Sequence, residues 1–394
     1  MESIVPNPTT ATPTVTPASL VAAFATIPDP RRAASVTYPL PAMLALTVAA
    51  LLCAQTSVLA MAEWAARQPA DLLEQLGFPE GQTPRQSTLH RFLGKLDTPA
   101  LAAALRTAFQ RPAPRDRGAE GIALDGKAQR GRLQFEGHRC PVHLLSAFCQ
   151  ETNLILAAEP IDQGADKAEA ELTVAPIVIE QLDWQGRVLT GDALFCQRSL
   201  CEQVLAAGGD YLLTVKRNQL TLHRALVQVF DPEARPLLYR QEERTINHGH
   251  GRRSEVRHLI ATADPLALPD WPGVAQIFRI ERSWREKGKE HRQVRYGITS
   301  LPREIGTAQR LLQLRRRHWL IENRGHRAKD VNLGEDACLI HVQHGPTVLA
   351  LLRDASLNLL RHAGCTRIAA TIRAHAQHPD AAVALVLQPL TPRA

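Results

Sequence analysis

Two apolar runs in this chain each end in an aspartate: Gly121-Ile-Ala-Leu-Asp-Gly-Lys127 and Val188-Leu-Thr-Gly-Asp192. Short runs of apolar, β-type residues bounded by turn formers read as buried strands. An aspartate where such a strand gives out packs poorly, yet it is well placed to hold a cation above a sheet edge. Two of them, separated by the right elements, point to a divalent-metal site for phosphodiester chemistry. The plainer reading makes both aspartates caps of the turns that follow.

The remaining composition narrows the partners. A chain of 394 residues is long enough for two or three domains with cores of their own. With 45% hydrophobic and 22% charged residues it is an ordinary globular protein. The net charge of +7 favours a polyanionic partner, and the basic residues cluster: Arg315-Arg316-Arg317, Arg252-Arg253, and the run from Arg282 to Arg295. The 7 cysteines form no Cys-x-x-Cys pair, which suits reduced thiols in a cytosolic setting. His138, Cys140 and His143 lack a second ligand pair at zinc-finger spacing. The Pro/Thr-rich start, residues 1–16, reads as a disordered leader without the basic region of a signal peptide. Leu40 to Ala62 is uncharged and Ala-rich, but the Gln55-Thr56-Ser57 break makes it a buried helix pair rather than a membrane span.

Residues 17–110 read as helical. Within them Ser87 to Lys95, carrying His90 and Arg91, resembles the recognition helix of a helix-turn-helix, against the alternative of a plain amphipathic helix. The Pro- and charge-rich Arg111 to Arg117 is a linker. Beyond it, strands at 121–125, 143–149 and 153–160 precede a helix at 166–182, a strand at 187–192, a helix at 196–207 and a strand at 211–215. This β-β-β-α-β-α-β order is ribonuclease-H-like. It makes the first and fourth strands neighbours, so that Asp125 and Asp192 can share a cation. Residues 217–303 read as a mainly β insertion, with strands near 259–260, 274–280 and 294–299 and a basic ribbon around His248 to His258 facing phosphate. A long helix over 304–329 then puts Trp319, Glu322, His326 and Lys329 on one face at i, i+3, i+7 and i+10. Glu322 opposes the dipole preference near a helix C-terminus, and a third metal ligand is a reason for it.

At these residues the chain resembles the H-repeat-associated group of bacterial insertion-sequence transposases, from about Asp29 to His362. The likeness is carried by Asp29-Pro30-Arg31-Arg32 with Tyr38-Pro39-Leu40, Ala123 to Gly131, Gly191-Asp192-Ala193 with Cys196-Gln197, and Gly208 to Lys216 with Asn218-Gln219. It continues in His250-Gly251-Arg252 with Glu255 and Arg257, His318 to Asn323, Asp330-Val331 with Gly334-Glu335-Asp336, and Leu357 to Leu360. Arg217 and the Gly325-His326-Arg327 triplet depart from the family pattern. The resemblance implies an α/β fold: a ribonuclease-H-like mixed five-stranded sheet with flanking helices and a mainly β insertion, preceded by an all-helical N-terminal domain. The catalytic domain would span 118–364, with 365–394 a C-terminal tail.

It implies a DNA transposase with catalytic and metal-holding Asp125, Asp192 and Glu322 and two Mg²⁺ or Mn²⁺ ions. Asp330, Glu335 and Asp336 would form an acidic turn beside the site, with Glu335 the rival third ligand. Lys127, Lys216, Asn218, Gln219, Arg252, Arg315, Arg316, Arg317, His326 and Lys329 are the expected DNA contacts. The partners implied are double-stranded DNA, as element ends and target, and a second copy of the chain. A cytoplasmic, nucleoid-associated protein with no membrane segment is expected. A ribonuclease-H-like nuclease without strand transfer, or an inactive transposon-derived DNA-binding protein, are the alternatives.

Overall fold

The uncharged Ala- and Leu-rich run from Leu40 has no polar side, and a helix apolar all round belongs inside a core. Among the described residues it forms α2 (Leu40–Leu52), between α1 (Leu20–Phe24) and the helices α3 (Val58–Ala65), α4 (Ala70–Gln75), α5 (Gln86–Lys95) and α6 (Thr98–Ala108). Every residue of α2 except Pro41 is buried. Ser19, Ser57 and Asp97 accept the backbone N–H groups of Ala22, Ala60 and Ala100, fixing three of the helix starts. The segment predicted to resemble a recognition helix is α5, which buries Leu89, Phe92 and Leu93 and exposes Arg91 and Lys95. The computed structural model describes residues 19–128, 143–161, 167–248, 254–286 and 289–390, and among them no helix is long and apolar enough to cross a membrane.

The strands follow as β1 (Glu120–Ala128), β2 (His143–Cys149), β3 (Ile155–Ile161), β4 (Arg187–Gly191) and β5 (Asp210–Val215), with α7 (Lys167–Glu180) and α8 (Arg198–Ala206) as crossovers. After α9 (Leu220–Val229) come β6 (Arg240–His248), β7 (Ser254–Thr262), β8 (Gln276–Glu286) and β9 (Lys289–Thr299). The sheet order is β3-β2-β1-β4-β5-β9-β8-β7-β6. β1 runs antiparallel to β2 and parallel to β4, and β5 is parallel to β4. Residues of β1 alternate between faces. Ile122 and Leu124 join Val174, Val178 and Val204 of the crossover helices, whereas Ala123 faces the helical core with Phe148. Asp125 follows Ala123 by two and so belongs to that second face.

Three expectations are corrected. Among the described residues the sheet has nine strands rather than five, because the insertion joins it: β9 pairs antiparallel with β5, and β8, β7 and β6 continue it. Pairing there covers what would otherwise be the exposed edge of β5. The expected tail contains α13 (Ile368–Gln377) and α14 (Pro379–Leu387), following α10 (Ala308–Arg317), α11 (Arg327–Leu333) and α12 (Gly345–His362). Val383 and Val386 of α14 sit in the same core as α2 and α12, so the N-terminal helices share their core with the C-terminal ones. The continuous helix over 304–329 is instead α10, then a π-helical turn at Ile321–His326, then α11. A π turn inserts an extra residue and rotates the side chains beyond it. Trp319, 62% exposed, and Lys329, 1% exposed, therefore do not share a face.

Gly297 of β9 is held on both sides, opposite Thr214 of β5 and Phe278 of β8. A Cβ there would stand 2.1 Å from the Phe278 ring and 2.5 Å from the Leu213 carbonyl oxygen. Gly297→Ala is expected to destabilise the chain by roughly 1–3 kcal/mol. A urea-unfolding midpoint equal to the wild type's would contradict that seam between the insertion and the rest of the sheet.

Candidate metal centre

The parallel ladder between β1 and β4 ends at Ala123 opposite Thr190, and Asp125 and Asp192 each lie two residues past that pair. Beyond that pair β1 and β4 part, and both aspartates stand there, Asp125 still in register with Ser146 of β2. Asp192 caps the 3-10 turn Ala193–Phe195, accepting the Leu194 N–H at 2.8 Å. The turn is braced from the end of β5. Asn218 Nδ2 donates to Ala193 O at 2.6 Å and Gln219 Nε2 to Cys196 O at 3.0 Å. These two amides, predicted to touch DNA, are spent on orienting the Asp192 loop.

Glu322 arrives on the π turn, whose Ile321 is buried in the core that contains Ala123 and Phe148. The turn is anchored just upstream, where His318 Nδ1 lies 3.1 Å from Thr190 Oγ1 of β4 and that hydroxyl accepts from Gln150 Nε2 at 2.8 Å. Burial drives the His318 imidazole down to about 3, so it is neutral. From this anchor, ligand atoms of Asp125, Glu322 and His326 come within 4.8 Å of one another. Asp192 is not a member of that cluster.

The electrostatics are those of crowded acids. Burial pushes the Asp125 carboxyl up to about 6, and the charges of Glu171 and Asp192 add to it against a hydrogen bond from Glu322. Burial and then the charge of Asp125 also raise Glu322. His326, predicted as a DNA contact, is 5% exposed, with Nε2 3.3 Å from Asp125 Oδ2. Burial first, then Lys329, lower its imidazole to about 4. Glu171 of α7 carries no signal in the sequence. It reaches the site from the other side of the sheet, paired to His143 Nε2 at 3.1 Å, over a position where Gly126 leaves room.

The predicted cations divide. Lys329 is no phosphate contact: it is buried, with its ammonium 2.8 Å from Asp354 Oδ1 and 3.5 Å from Glu335 Oε1. Burial opposes its charge, but those two acids outweigh it and hold the pKa above the usual value. Lys127 is ion-paired to Asp330 and, at 3.0 Å, to Glu335. Glu335 is thus tied to two lysines and buried, which removes it as a rival ligand. Asp330 is spent on Lys127, and Asp336 influences Asp330 without joining the cluster. Arg317 pairs with Glu151 at 3.2 Å and Arg316 donates to Asn247. Arg315 is brought down to about 10 by burial and Arg295, with Asp192 opposing. Lys216 is exposed at the end of β5. Arg252, like the candidate zinc ligands His138 and Cys140, lies outside the described residues.

A cationic surface that the sequence did not single out lies behind the π turn. It is a groove of about 570 Å³ lined by Arg324, Arg327, Arg361, Arg367 and Arg373, with no acid in its wall. Three of these arginines are isolated in the sequence, so no charge run announces them.

Residues 116–359 match the family model described as a transposase DDE domain, and residues 21–108 match one described as associated with it. YbfL of Escherichia coli K12 is 29% identical over 349 residues, covering 85% of this chain and 88% of its own length. YncI of Escherichia coli O157:H7, provisionally named a transposase, is 28% identical over 354 residues, covering 87% of each chain. YhhI of Escherichia coli K12, named as H repeat-associated and provisionally a transposase, is 27% identical over 343 residues, 85% of this chain and 88% of its own. Among solved structures, the piggyBac transposase synaptic complex with hairpin DNA aligns over 90% of this chain and 74% of that one. Its 11% identity and TM-score of 0.39 are too low to bear on the fold.

Two stability measurements check the electrostatics. Asp125 binds its proton more tightly folded than unfolded, so without divalent ions its ionisation costs stability as pH rises from about 4 through about 6. Asp125→Asn should therefore gain on the wild type across that window and level off above it, by roughly 1–3 kcal/mol at pH 8. A difference independent of pH would contradict the raised pKa of buried Asp125. Lys329→Met leaves Asp354 and Glu335 buried without their cation and should cost about 3–5 kcal/mol, read as a fall in the urea midpoint. An unchanged midpoint would restore Lys329 as a surface group.

Proposed function

Because the chain belongs to the transposase DDE-domain family, we propose that it is an insertion-sequence transposase whose cutting and joining centre is Asp125, Asp192 and Glu322. The observation that carries this reading is the approach of Asp125, Glu322 and His326 to within 4.8 Å on one face of the sheet. Two carboxylates this close together suit a divalent cation, which would offset the burial and the neighbouring charges of Glu171 and Asp192 that raise the Asp125 pKa. Two Mg²⁺ or Mn²⁺ ions supply alignment of a hydroxyl nucleophile and neutralisation of the departing 3′-oxygen.

In this reading Asp125, Asp192 and Glu322 would hold the ions. The 3-10 turn under Asp192 fixes the carboxylate through the Leu194 N–H, and Asn218 and Gln219 keep that turn in place. The β3-β2-β1-β4-β5 part of the sheet, with β1, β4 and β5 parallel, supports a ribonuclease-H-like body around the site. Arg315 beside Asp192 and exposed Lys216 supply positive charge for the phosphate being cut. The arginine groove behind the π turn suits the backbone of the duplex leading to it, a contact that positions DNA without reading its sequence. Recognition of the element ends then falls to the N-terminal helices and the β6–β9 ribbon, with a second copy of the chain holding the other end.

Incubation of the full chain with Mn²⁺, a supercoiled target and DNA bearing its own element's ends tests the reading. Nicked ends with free 3′-hydroxyls and strand-transfer products are expected. Asp125→Ala and Glu322→Gln should each lower both by on the order of a thousandfold, several kcal/mol of lost charge stabilisation. Cutting without joined products would assign a plain nuclease, and end binding unaffected by either substitution with no cutting at all would assign a DNA-binding protein.

A further inference from the structure

His326 is the buried group that the three-acid scheme leaves without a task. Its ring is 5% exposed, and neither Nδ1 nor Nε2 has a hydrogen-bond partner among the described residues. Nε2 is 3.3 Å from Asp125 Oδ2, but out of line for a hydrogen bond. A buried nitrogen left unpaired costs about 1–3 kcal/mol, so a ring carrying two in a well-packed segment needs a compensating partner. The backbone around it is not loose, since Lys127 Nζ donates to the His326 carbonyl oxygen at 3.2 Å. The π turn sets Glu322 and His326 four residues apart and brings a ligand atom of each to Asp125.

We propose that His326 is a nitrogen ligand of the ion shared by Asp125 and Glu322, making that position a mixed oxygen and nitrogen site. The inference rests on the metal-dependent reading above and adds a ligand to it. Metal–donor bonds of about 2.0–2.2 Å put neighbouring donors around one ion roughly 3 Å apart and opposite ones a little over 4 Å. The observed separations, all within 4.8 Å, need only a small closure. The donor set also predicts a preference. Mg²⁺ takes oxygen ligands and holds its water, whereas Mn²⁺ and later first-row ions accept imidazole more readily. The two ion positions are then unequal, with the Glu322 side favouring Mn²⁺ over Mg²⁺ and the Asp192 side carrying oxygen ligands.

Pulsed electron paramagnetic resonance of the full chain with one equivalent of Mn²⁺ reads the ligand directly, without turnover. An imidazole ¹⁴N coupling is expected in the wild type and absent in His326→Gln, with Mn²⁺ affinity at least on the order of tenfold weaker and the Mn²⁺ over Mg²⁺ preference reduced. Labelling the unsubstituted chain with ¹⁵N-histidine should replace the ¹⁴N pattern, which needs no variant to fold. Mn²⁺ bound in an Asp125-dependent manner but without nitrogen coupling would overturn the ligand and leave the metal centre standing. Absence of any Asp125-dependent Mn²⁺ binding would overturn both.

Discussion

Two carboxylates, Asp125 and Glu322, are held side by side, and the rest of the architecture is arranged to tolerate it. In water such groups drift apart. Here the alternation of β1 aims Asp125 at the helical face, and the π turn aims Glu322 back at it. Burial of Asp125, with the charges of Glu171 and Asp192, leaves an acid pushed up to about 6, against a hydrogen bond from Glu322 that lowers it. Unfavourable charge stored at a sheet edge is the mark of a site kept for chemistry rather than for stability. In the proposed reading a divalent cation would turn the same arrangement from repulsive to attractive.

The support beneath the site is ionic. Lys127 on β1 reaches Asp330 and Glu335, while Lys329 on α11 reaches Glu335 and Asp354 of α12. Glu335 is the hinge of this network, and the two lysines hold it ionised against the cost of burial. The network ties the strand that carries one acid to the helices that carry the other. Asp192 is fixed differently, by a capped turn and two side-chain amides. Each acid thus has its own mount, and a change in any mount moves one carboxylate against the others.

Much of this was legible in the sequence because it depends on short-range patterns. The apolar period gave both strands and the end of β4, although β1 runs on past Asp125 to Ala128 along β2, and the order of elements made β1 and β4 neighbours. The π turn was not legible. A straight α-helix puts Trp319, Glu322, His326 and Lys329 on one face, and nothing in Ile321–His326 announces the extra residue that separates them. The fates of Lys127 and Lys329 depend on Glu335 and Asp354, distant partners that no local spacing reveals. Pairing of β9 with β5 is likewise a long-range choice, and β6 alternates polar residues that look like a loop. The C-terminal pair did leave a signal, since Ala382, Val383, Leu385 and Val386 recur at helical spacing.

The most direct test is a Mn²⁺-soaked crystal of the full chain, measured for anomalous scattering. The account predicts a peak within bonding distance of both Asp125 and Glu322, with a second toward Asp192 at higher ion concentration. A map with ordered carboxylates and no peak between them would contradict it.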